Sequence, residues 1–482
     1  MDHSQCPFSH FCVNRRSFLA GGGMGLAGFL LGSSPELLSG FALEEPVAPV
    51  PDLSVPRTRV GLIFSHISAR TATWPQIDYD YEGRKKELEA RLRQACPRTE
   101  FIAATAMNAQ EARELVAKMQ DLDGFVAYPV GIWTGAVNVV ARSGKPVVIV
   151  DDLYAGTGEF IGVFAEARRQ KLPVVGVASS DFQDVVKAVR LFEVLKGIQS
   201  ARIVDVTEND VAPEAERIKA QTGIRVMRVD ASNLEKYYQQ ADERLAARWA
   251  EKWMGGAAKV VEPTREEVVK SGKMHLAIAA LMKEHAAEAV TIDCLTLFYG
   301  GKLSAYPCLS FCQLNDDGLV GACEGDLNST VTMVLMRHLA GLAGFISDPV
   351  FDTSKSEIIY AHCVAPTKVF GPDGRSNAYA LRSHAEDKKG AALQSFLPLG
   401  ETVTTLETNL REKGVVIHTA RTTRNIEEAK ACRTKLAAQA NVEKLMSNWK
   451  WGWHRVTYFG QWKPQVRNLA TLMGLEVFEE DT

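Results

Sequence analysis

The sequence has no excess of positive charge, no long apolar run and no paired cysteine motif. Its 55 lysines and arginines stand against 58 acidic residues, for a net charge of −3. Nucleic-acid-binding surfaces are basic, so we expect no nucleic acid as a partner. The apolar run AGGGMGLAGFLLG near the N-terminus is shorter than the roughly 20 residues that a membrane-spanning helix needs.

Cysteine usage excludes a regular disulfide framework. Of nine cysteines, two precede a pair of arginines and would be lost with a leader, which leaves 9 − 2 = 7, an odd number without framework spacing. Five lie in the middle of the chain: Cys294, Cys308, Cys312, Cys323 and Cys363. No CxxC pair occurs, and buried free cysteine packs as a small hydrophobe. We therefore expect core packing rather than structural zinc, and leave open whether any of these cysteines pair.

The N-terminus is typical of a twin-arginine export signal. Arg15-Arg16 precede the weakly apolar run, and Gly40-Phe41-Ala42 offers a small-x-small cleavage site. We predict a signal peptide over residues 1–42 and a linker over 43–57. The expected consequences are a periplasmic protein, the twin-arginine export machinery as a partner, and no stable membrane anchoring after cleavage. An uncleaved N-terminal anchor is the alternative.

After the linker, short apolar runs alternate with helix-like segments, beginning at Arg59–Phe64. This pattern indicates βαβ units around parallel sheets. We predict an α/β protein with two Rossmann-like, three-layer domains, over residues 58–180 and 181–305, and a β-rich domain with a barrel-like end over 306–482. No GxGxxG follows the first strand, so no dinucleotide site is expected there.

One acidic stretch, Cys312–Asp326, is interrupted by glycines. Glycine is unfavourable inside helices, so we expect loop, short strand and loop. From Leu327 the apolar residues recur at helical spacing, which places Glu324 and Asp326 at a helix N-terminus, where the helix dipole favours carboxylates. Carboxylate oxygens also suit divalent cations. A solvated acidic turn with a helix cap is the alternative.

Tryptophans alternate near the C-terminus at Trp449, Trp451 and Trp453. In a strand all three would face one side and His454 the other. His454 is then a candidate metal ligand, and the tryptophans are candidate stacking surfaces for a sugar ring. Core tryptophans and an ordinary strand histidine are the alternative.

These motifs resemble those of the L-fucose isomerase and L-arabinose isomerase superfamily, and most closely its fucose isomerase-like branch. The resemblance is specific from about Asp293 onward. The matching elements are Glu324-Gly325-Asp326 before a helix, Ile346-Ser347-Asp348-Pro349 after it, His362-Cys363 ending a strand, Ser383-His384, and the His-x-Val-x-x-x-Gly segment His454–Gly460.

The resemblance implies a metal-dependent sugar isomerase that interconverts an aldose and a ketose through an enediol. It further implies a homo-oligomer and a divalent metal, Mn²⁺ first, with Zn²⁺ or Mg²⁺ as alternatives. The implied metal ligands are Asp326, His454 and Glu324; the implied catalytic residues are Asp326, Glu324 and Asp293; His362, His384 and Trp453 are expected to contact the sugar.

The sequence departs from the family pattern at one essential carboxylate. Fucose and arabinose isomerases carry a glutamate roughly two dozen residues before the matching aspartate, but Tyr299–Lys302 holds no acid here. Asp293 is the nearest candidate upstream, and Asp316 or Asp317 downstream. Proton transfer between two carbons needs a base. A lyase or hydrolase acting on a sugar, and a non-catalytic periplasmic carbohydrate-binding protein, are therefore alternatives.

Overall fold

The apolar run Arg59–Phe64 lies within a central strand of a parallel sheet, as its sequence predicts. The structure, a computed structural model, describes residues 46–482. The predicted signal peptide at 1–42 and the first residues of the predicted linker, 43–45, lie outside the described residues. Within the described part, no helix is both long and apolar enough to cross a membrane.

The first sheet has five parallel strands in the order β2-β1-β3-β4-β5. These strands are β1 (Thr58–Ser65), β2 (Thr99–Ala106), β3 (Gly124–Pro129), β4 (Val147–Val150) and β5 (Val174–Val177). The associated helices are α1 (Tyr81–Ala95), α2 (Ala109–Lys118), α3 (Ala136–Ala141), α4 (Thr157–Arg169), α5 (Phe182–Val189) and α6 (Leu191–Ser200). Its central strands are buried along their whole length, which explains their continuous apolar runs.

The second sheet has four parallel strands in the order β10-β9-β6-β7. They are β6 (Arg202–Val206), β7 (Arg225–Val229), β9 (Ala289–Ile292) and β10 (Val320–Ala322). The helices of this region are α7 (Ala212–Thr222), α8 (Ala231–Gln240), α9 (Glu243–Gly256), α10 (Arg265–Glu284), α11 (Cys294–Tyr299), α12 (Cys308–Asp316) and α13 (Leu327–Ala340). Strand β10 thus belongs to this sheet although it follows residue 306; the domain boundaries themselves stay predictions.

A buried carboxyl group in this sheet makes stability depend on pH. Asp205 on β6 is 0% exposed, and neither of its carboxyl oxygens has a hydrogen-bond partner within residues 46–482. Burial, together with the charge of Asp293, raises the pKa of Asp205 to about 7. Because an unfolded aspartate ionises near pH 4, the unfolded state is favoured increasingly as the pH rises from about 4 to about 7.

We expect ionisation of Asp205 to lower the free energy of unfolding by ~2 kcal/mol as the pH rises from 5 to 7. Asp205→Asn, which cannot ionise, should lack this loss and be more stable than the parent at pH 8. Urea unfolding of both proteins across this pH range measures the difference. Parallel pH profiles for parent and variant would show that Asp205 ionises normally in the folded state.

The strands of the C-terminal region form a closed sheet. Its seven-stranded sheet has the order β15-β18-β11-β12-β17-β16-β19. Strand β15 also pairs with β16, which closes the six strands from β15 to β16 into a barrel. The strands are β11 (Phe345–Asp352), β12 (Glu357–His362), β15 (Thr402–Asn409), β16 (Gly414–Asn425), β17 (Thr434–Gln439), β18 (Arg455–Phe459) and β19 (Glu476–Glu479), with helices α14 (Val442–Asn448) and α15 (Lys463–Leu472). A small sheet of β14 (Ala392–Ser395), β13 (Tyr379–Arg382) and β8 (Lys259–Val260) lies beside it. The α/β fold class with a strand-rich C-terminal region is therefore confirmed.

The expected loop at the start of Cys312–Asp326 is wrong, because helix α12 continues to Asp316. Between Cys308 and Asp316 there is no glycine to interrupt the helix. Gly318 ends this segment, with φ at 77° and its N–H donating to Asn315 O. The short strand and the turn beyond it are as predicted, and Asp326 caps α13.

Trp449, Trp451 and Trp453 do not lie in a strand, so the alternation of faces expected for a strand does not apply to them. Strand β18 begins only at Arg455, and the tryptophans lie in the loop before it. Trp451 and Gly452 both have positive φ, at 63° and 92°, which a β-strand does not allow. The ring of Trp451 packs against Phe478 with centroids 4.9 Å apart. The packing of this turn, rather than alternation along a strand, therefore determines the positions of these tryptophan side chains.

Candidate metal centre

Four candidate ligands lie where three neighbouring strands of the barrel meet the turn before α13. Asp348 is on β11, His362 ends β12, and His454 directly precedes β18. Strand β11 pairs antiparallel with both β12 and β18, so these three side chains converge. Glu324 reaches them from the turn between β10 and α13, where its φ of 65° is the left-handed conformation.

The side chains are within a few ångströms of one another. His454 Nε2 lies 3.1 Å from Asp348 Oδ1 and 3.4 Å from Glu324 Oε2. His362 Nε2 lies 3.5 Å from Glu324 Oε1. One ligand atom each from Asp348, His362 and His454 falls within 4.8 Å of the others, and so does one each from Cys323, Glu324 and His362. The two groups share His362 and therefore surround the same small volume.

The donor set fits a divalent cation. His362 is 2% exposed, and both of its ring nitrogens lack a hydrogen-bond partner in the described part of the chain. Nε2 of His454 also makes no well-aligned hydrogen bond there, although Asp348 Oδ1 lies 3.1 Å away. Buried polar atoms without partners are rare in folded proteins, and an ion bound among these nitrogens would supply the missing partner. Imidazole and carboxylate ligands together suit manganese, iron or zinc. Glu324, Asp348, His362 and His454 could therefore hold one ion.

The charges at this point also favour a cation. The imidazoles of His362 and His454 lower the pKa of Glu324 well below its usual range, despite its burial. Burial acts to lower the pKa of His454, but Asp326, Asp348 and Glu324 together raise it to about 12. Three carboxylates around one imidazole create a strongly negative potential, which a bound divalent cation would offset.

Asp326, predicted as a ligand, has its oxygens occupied by other groups. Oδ1 accepts the N–H groups of Asn328 and Ser329 at 2.9 and 3.0 Å, which caps α13. Oδ2 accepts the Ser329 hydroxyl at 2.7 Å and lies 2.8 Å from His454 Nδ1. A carboxylate bonded to Nδ1 fixes the tautomer of the ring and directs Nε2 at the metal. These contacts suit a residue that positions His454; the predicted roles of Asp326 as a metal ligand and catalytic residue stay predictions.

We therefore expect Asp326→Asn to weaken metal binding by about 10- to 100-fold without unfolding the protein, since asparagine also caps helices well. Titration of the stripped protein with Mn²⁺ measures this. Asp181→Asn is the matched control, because Asp181 caps α5 through the N–H of Gln183 and its replacement should leave metal affinity unchanged. Equal effects of both variants would assign the loss to helix capping.

The other predicted site residues lie at different distances from this centre. Asp293 follows β9 and borders the turn, because the N–H of Gly325 donates to the carbonyl of Ile292 at 2.9 Å. Trp453 is 67% exposed, and its ring lies roughly parallel to that of His454, with centroids 6.2 Å apart. Neither residue is in the two ligand groups. Their predicted roles, in catalysis and in sugar contact, stay predictions.

His384 and Asp316 are held by other contacts. His384 Nε2 lies 3.3 Å from Cys308 Sγ, its Nδ1 lies 2.6 Å from Glu386, and its ring stacks on Tyr306. Asp316 accepts hydrogen bonds from the backbone and hydroxyl of Thr367. These contacts fix loops of the C-terminal region, and neither residue is among the grouped ligands.

Asp348 is the candidate ligand that sequence reasoning missed. It lies in the segment Ile346–Pro349, which carried part of the resemblance without a role being assigned to it. Asp348 lies about two dozen residues after Glu324, the separation that the family pattern gives between its glutamate and its aspartate, whereas the sequence comparison took Asp326 as the matching aspartate. Asp348 on β11 is therefore a candidate for the acid that Tyr299–Lys302 lacks.

A surface cleft of about 760 Å³ lies next to this turn. Its lining includes Gly325, Asp326, Trp451, Arg217 and Arg411. Clefts of this size accept small-molecule ligands. The cleft is large enough for a monosaccharide.

Comparison with known proteins finds relatives among sugar isomerases. No protein-family model matches the chain. It is similar to the sulfoquinovose isomerases of Priestia aryabhattai and Priestia megaterium, each 24% identical over 226 residues, which cover 45% of this chain and 49% of those proteins. It is also similar to sulfoquinovose isomerase of Clostridium sp. strain MSTE9, 24% identical over 255 residues, which cover 50% of this chain and 55% of that protein. The chain thus spans about half the length of the curated relatives it matches.

Among solved structures, the XylFII-LytSN complex matches with 13% sequence identity and a TM-score of 0.16. The match covers 52% of this chain and 86% of the chain in that complex.

Proposed function

We propose that the protein is a metal-dependent ketol isomerase, which interconverts an aldose and a ketose. The observation that carries this proposal is the placement of two carboxylates, Glu324 and Asp348, on one imidazole nitrogen of His454 at 3.4 and 3.1 Å. A pair of acids beside a cation site is the equipment that an enediol mechanism needs. The similarity to three proteins named sulfoquinovose isomerase supports an enzyme over a sugar-binding protein.

Glu324, Asp348, His362 and His454 would hold one divalent ion, for which Mn²⁺ is our first choice from the mixed nitrogen and oxygen donors and from the family resemblance. A bound divalent ion polarises the carbonyl and hydroxyl oxygens of a sugar. Burial of His362 keeps that side of the centre dry, which strengthens electrostatic interactions with the substrate.

The protein's own residues then move two protons. One carboxylate of the Glu324–Asp348 pair accepts the proton from C2 of the aldose and returns it to C1, while the other carries the hydroxyl proton between O2 and O1. Asp326 keeps His454 oriented throughout by its contact with Nδ1. Because the carbon-bound proton travels on a carboxylate, part of it should exchange with solvent.

The substrate we propose is a sugar or sugar derivative, and the names of the relatives make sulfoquinovose the first compound to test. The assay incubates metal-loaded protein with sulfoquinovose and with neutral aldoses in D₂O, and follows products by NMR and mass spectrometry. An isomerase gives a product of unchanged mass apart from deuterium at C1 or C2, and a chelator abolishes its formation. A product of changed mass would indicate lyase or hydrolase chemistry. Binding without turnover would indicate a carbohydrate-binding protein.

We also propose export by the twin-arginine pathway, a periplasmic location and a homo-oligomer. The paired arginines and the cleavage site in residues 1–42 support the first two proposals. Fractionation of cells that express the full chain, with Arg15 and Arg16 replaced by lysine as the control, tests export. Size-exclusion chromatography with light scattering tests the oligomer.

A further inference from the structure

Four buried or partly buried cysteines flank the candidate metal centre in two pairs. Cys294 Sγ and Cys323 Sγ lie 3.3 Å apart, as free thiols. Cys363 and Cys432 are a second pair of neighbours, since the Cys363 thiol contributes to the raised pKa of Cys432. Three of these four residues are chain neighbours of site residues, since Cys294 follows Asp293, Cys323 precedes Glu324 and Cys363 follows His362. The proposed chemistry of the centre uses none of these thiols.

The pair Cys294–Cys323, which we call the thiol pair, is fixed by the second sheet. Cys323 directly follows β10, and Cys294 lies two residues after the end of β9, at the start of α11. These two strands are parallel neighbours in which Ala322 lies opposite Thr291. The N–H of Gly325 bonds the carbonyl of Ile292, which ties the two segments together again. Cys294 and Cys323 are 2% and 4% exposed. The short separation of the sulfur atoms is therefore a consequence of the sheet register.

We propose that the thiol pair is a redox modification site, and that its disulfide inactivates the metal centre. A small organic disulfide, RSSR, supplies the oxidising equivalents. The sulfur of one cysteine attacks RSSR and releases one RSH, which leaves a mixed disulfide. The sulfur of the other cysteine then displaces the second RSH. Two thiol hydrogens leave on the two RSH molecules, the protein gains one S–S bond, and RSSR is reduced.

The bond requires a movement that reaches Glu324. A disulfide has sulfur atoms about 2.05 Å apart, so the two sulfurs, now 3.3 Å apart, must approach by more than an ångström. Cys323 is the residue before Glu324, whose backbone already has a positive φ of 65°. Misplacement of a catalytic group by about 1 Å can cost about 100-fold in rate. We therefore expect at least a tenfold loss of turnover and of metal affinity, reversed by a reducing dithiol.

The expected loss of activity rests on the proposed metal centre, whereas formation of the disulfide can be measured whether or not that centre exists. Metal-loaded protein is incubated with hydroxyethyl disulfide, a small organic disulfide. Cleavage after Lys302 separates Cys294 from Cys323. Mass spectrometry should find the two peptides linked with the loss of two hydrogens, and fragmentation should assign the bond to Cys323 rather than to Cys308 or Cys312. Metal content and turnover are followed in the same samples.

Cys294→Ala should keep basal activity and lose its sensitivity to the disulfide. Cys96→Ala is the matched control, because Cys96 is an equally buried free cysteine in the first α/β region, and this variant should respond like the parent. A Cys294→Ala variant that is inactivated as fast as the parent, or a Cys294–Cys323 bond that leaves metal content and turnover unchanged, would overturn the proposal. A parent that binds no metal before oxidation would instead contradict the proposed centre, and the peptide linkage would still decide whether the thiol pair is oxidised.

Discussion

Replacing Asp348 by asparagine is expected to lower turnover by about a thousandfold or more while the protein stays folded. General acid–base catalysis by one side chain contributes about 10²- to 10⁴-fold, and Asp348 is also a proposed ligand, through the oxygen that lies 3.1 Å from His454 Nε2. Asparagine keeps the shape of the side chain but can neither carry a proton nor supply the charge. Steady-state assays at saturating metal measure the loss, and circular dichroism checks the fold.

Asp352→Asn is the matched control, with the same substitution on the same strand. Asp352 bonds Ser354 and Lys355 at the far end of β11, away from the proposed ligands, so we expect its turnover to stay within about twofold of the parent. If Asp348→Asn kept parental turnover, the second carboxylate would have to be sought elsewhere, with Asp293 as the next candidate.

The second large effect concerns stability. Arg455, the residue after His454, is 0% exposed and pairs with Glu480, 1% exposed, at 2.6 Å. The guanidinium also lies 3.8 Å from the centre of the Trp449 ring. Glu480 further accepts from His418 Nδ1 at 2.9 Å. This buried network fixes the start of β18, and hence the position of His454 in the candidate metal centre.

Glu480→Ala would leave the guanidinium of Arg455 buried without its carboxylate. Removal of one partner of a buried ion pair costs about 3–5 kcal/mol, and we expect a loss of that size in the free energy of unfolding, measured by urea denaturation. Glu479→Ala is the control, because Glu479 is the adjacent residue with a side chain 23% exposed, and loss of such a pair costs about 1 kcal/mol or less. Equal losses would show that the buried network is not special.

Much of the fold follows from the sequence because the parallel strands are buried on both faces. Continuous apolar runs such as Pro146–Asp151 then mark strands directly, and β4 lies within that run. The helix cap at Asp326 was also predictable, because an acid before an apolar helical run has a local cause.

The candidate site was only partly predictable, because it depends on pairing between distant strands. Glu324 and His454 were identified from local motifs. Asp348 joins them only through the antiparallel register of β11 with β12 and β18, which local patterns do not encode. In Trp449–Trp453 a local pattern was misleading instead. The tryptophans alternate regularly, as in a strand, but the positive φ angles of Trp451 and Gly452 make this segment a turn.

The most direct measurement is the metal content of the purified parent and of His454→Ala, both produced with added manganese and analysed for all divalent metals. His285→Ala, at the end of α10, is the control for loss of a histidine elsewhere. We expect about one divalent ion per chain in the parent and in the control, and less than about a tenth of that in His454→Ala, because the imidazole contacts both carboxylates of the centre. No bound ion in the parent, or equal metal in all three proteins, would contradict a metal centre built on His454.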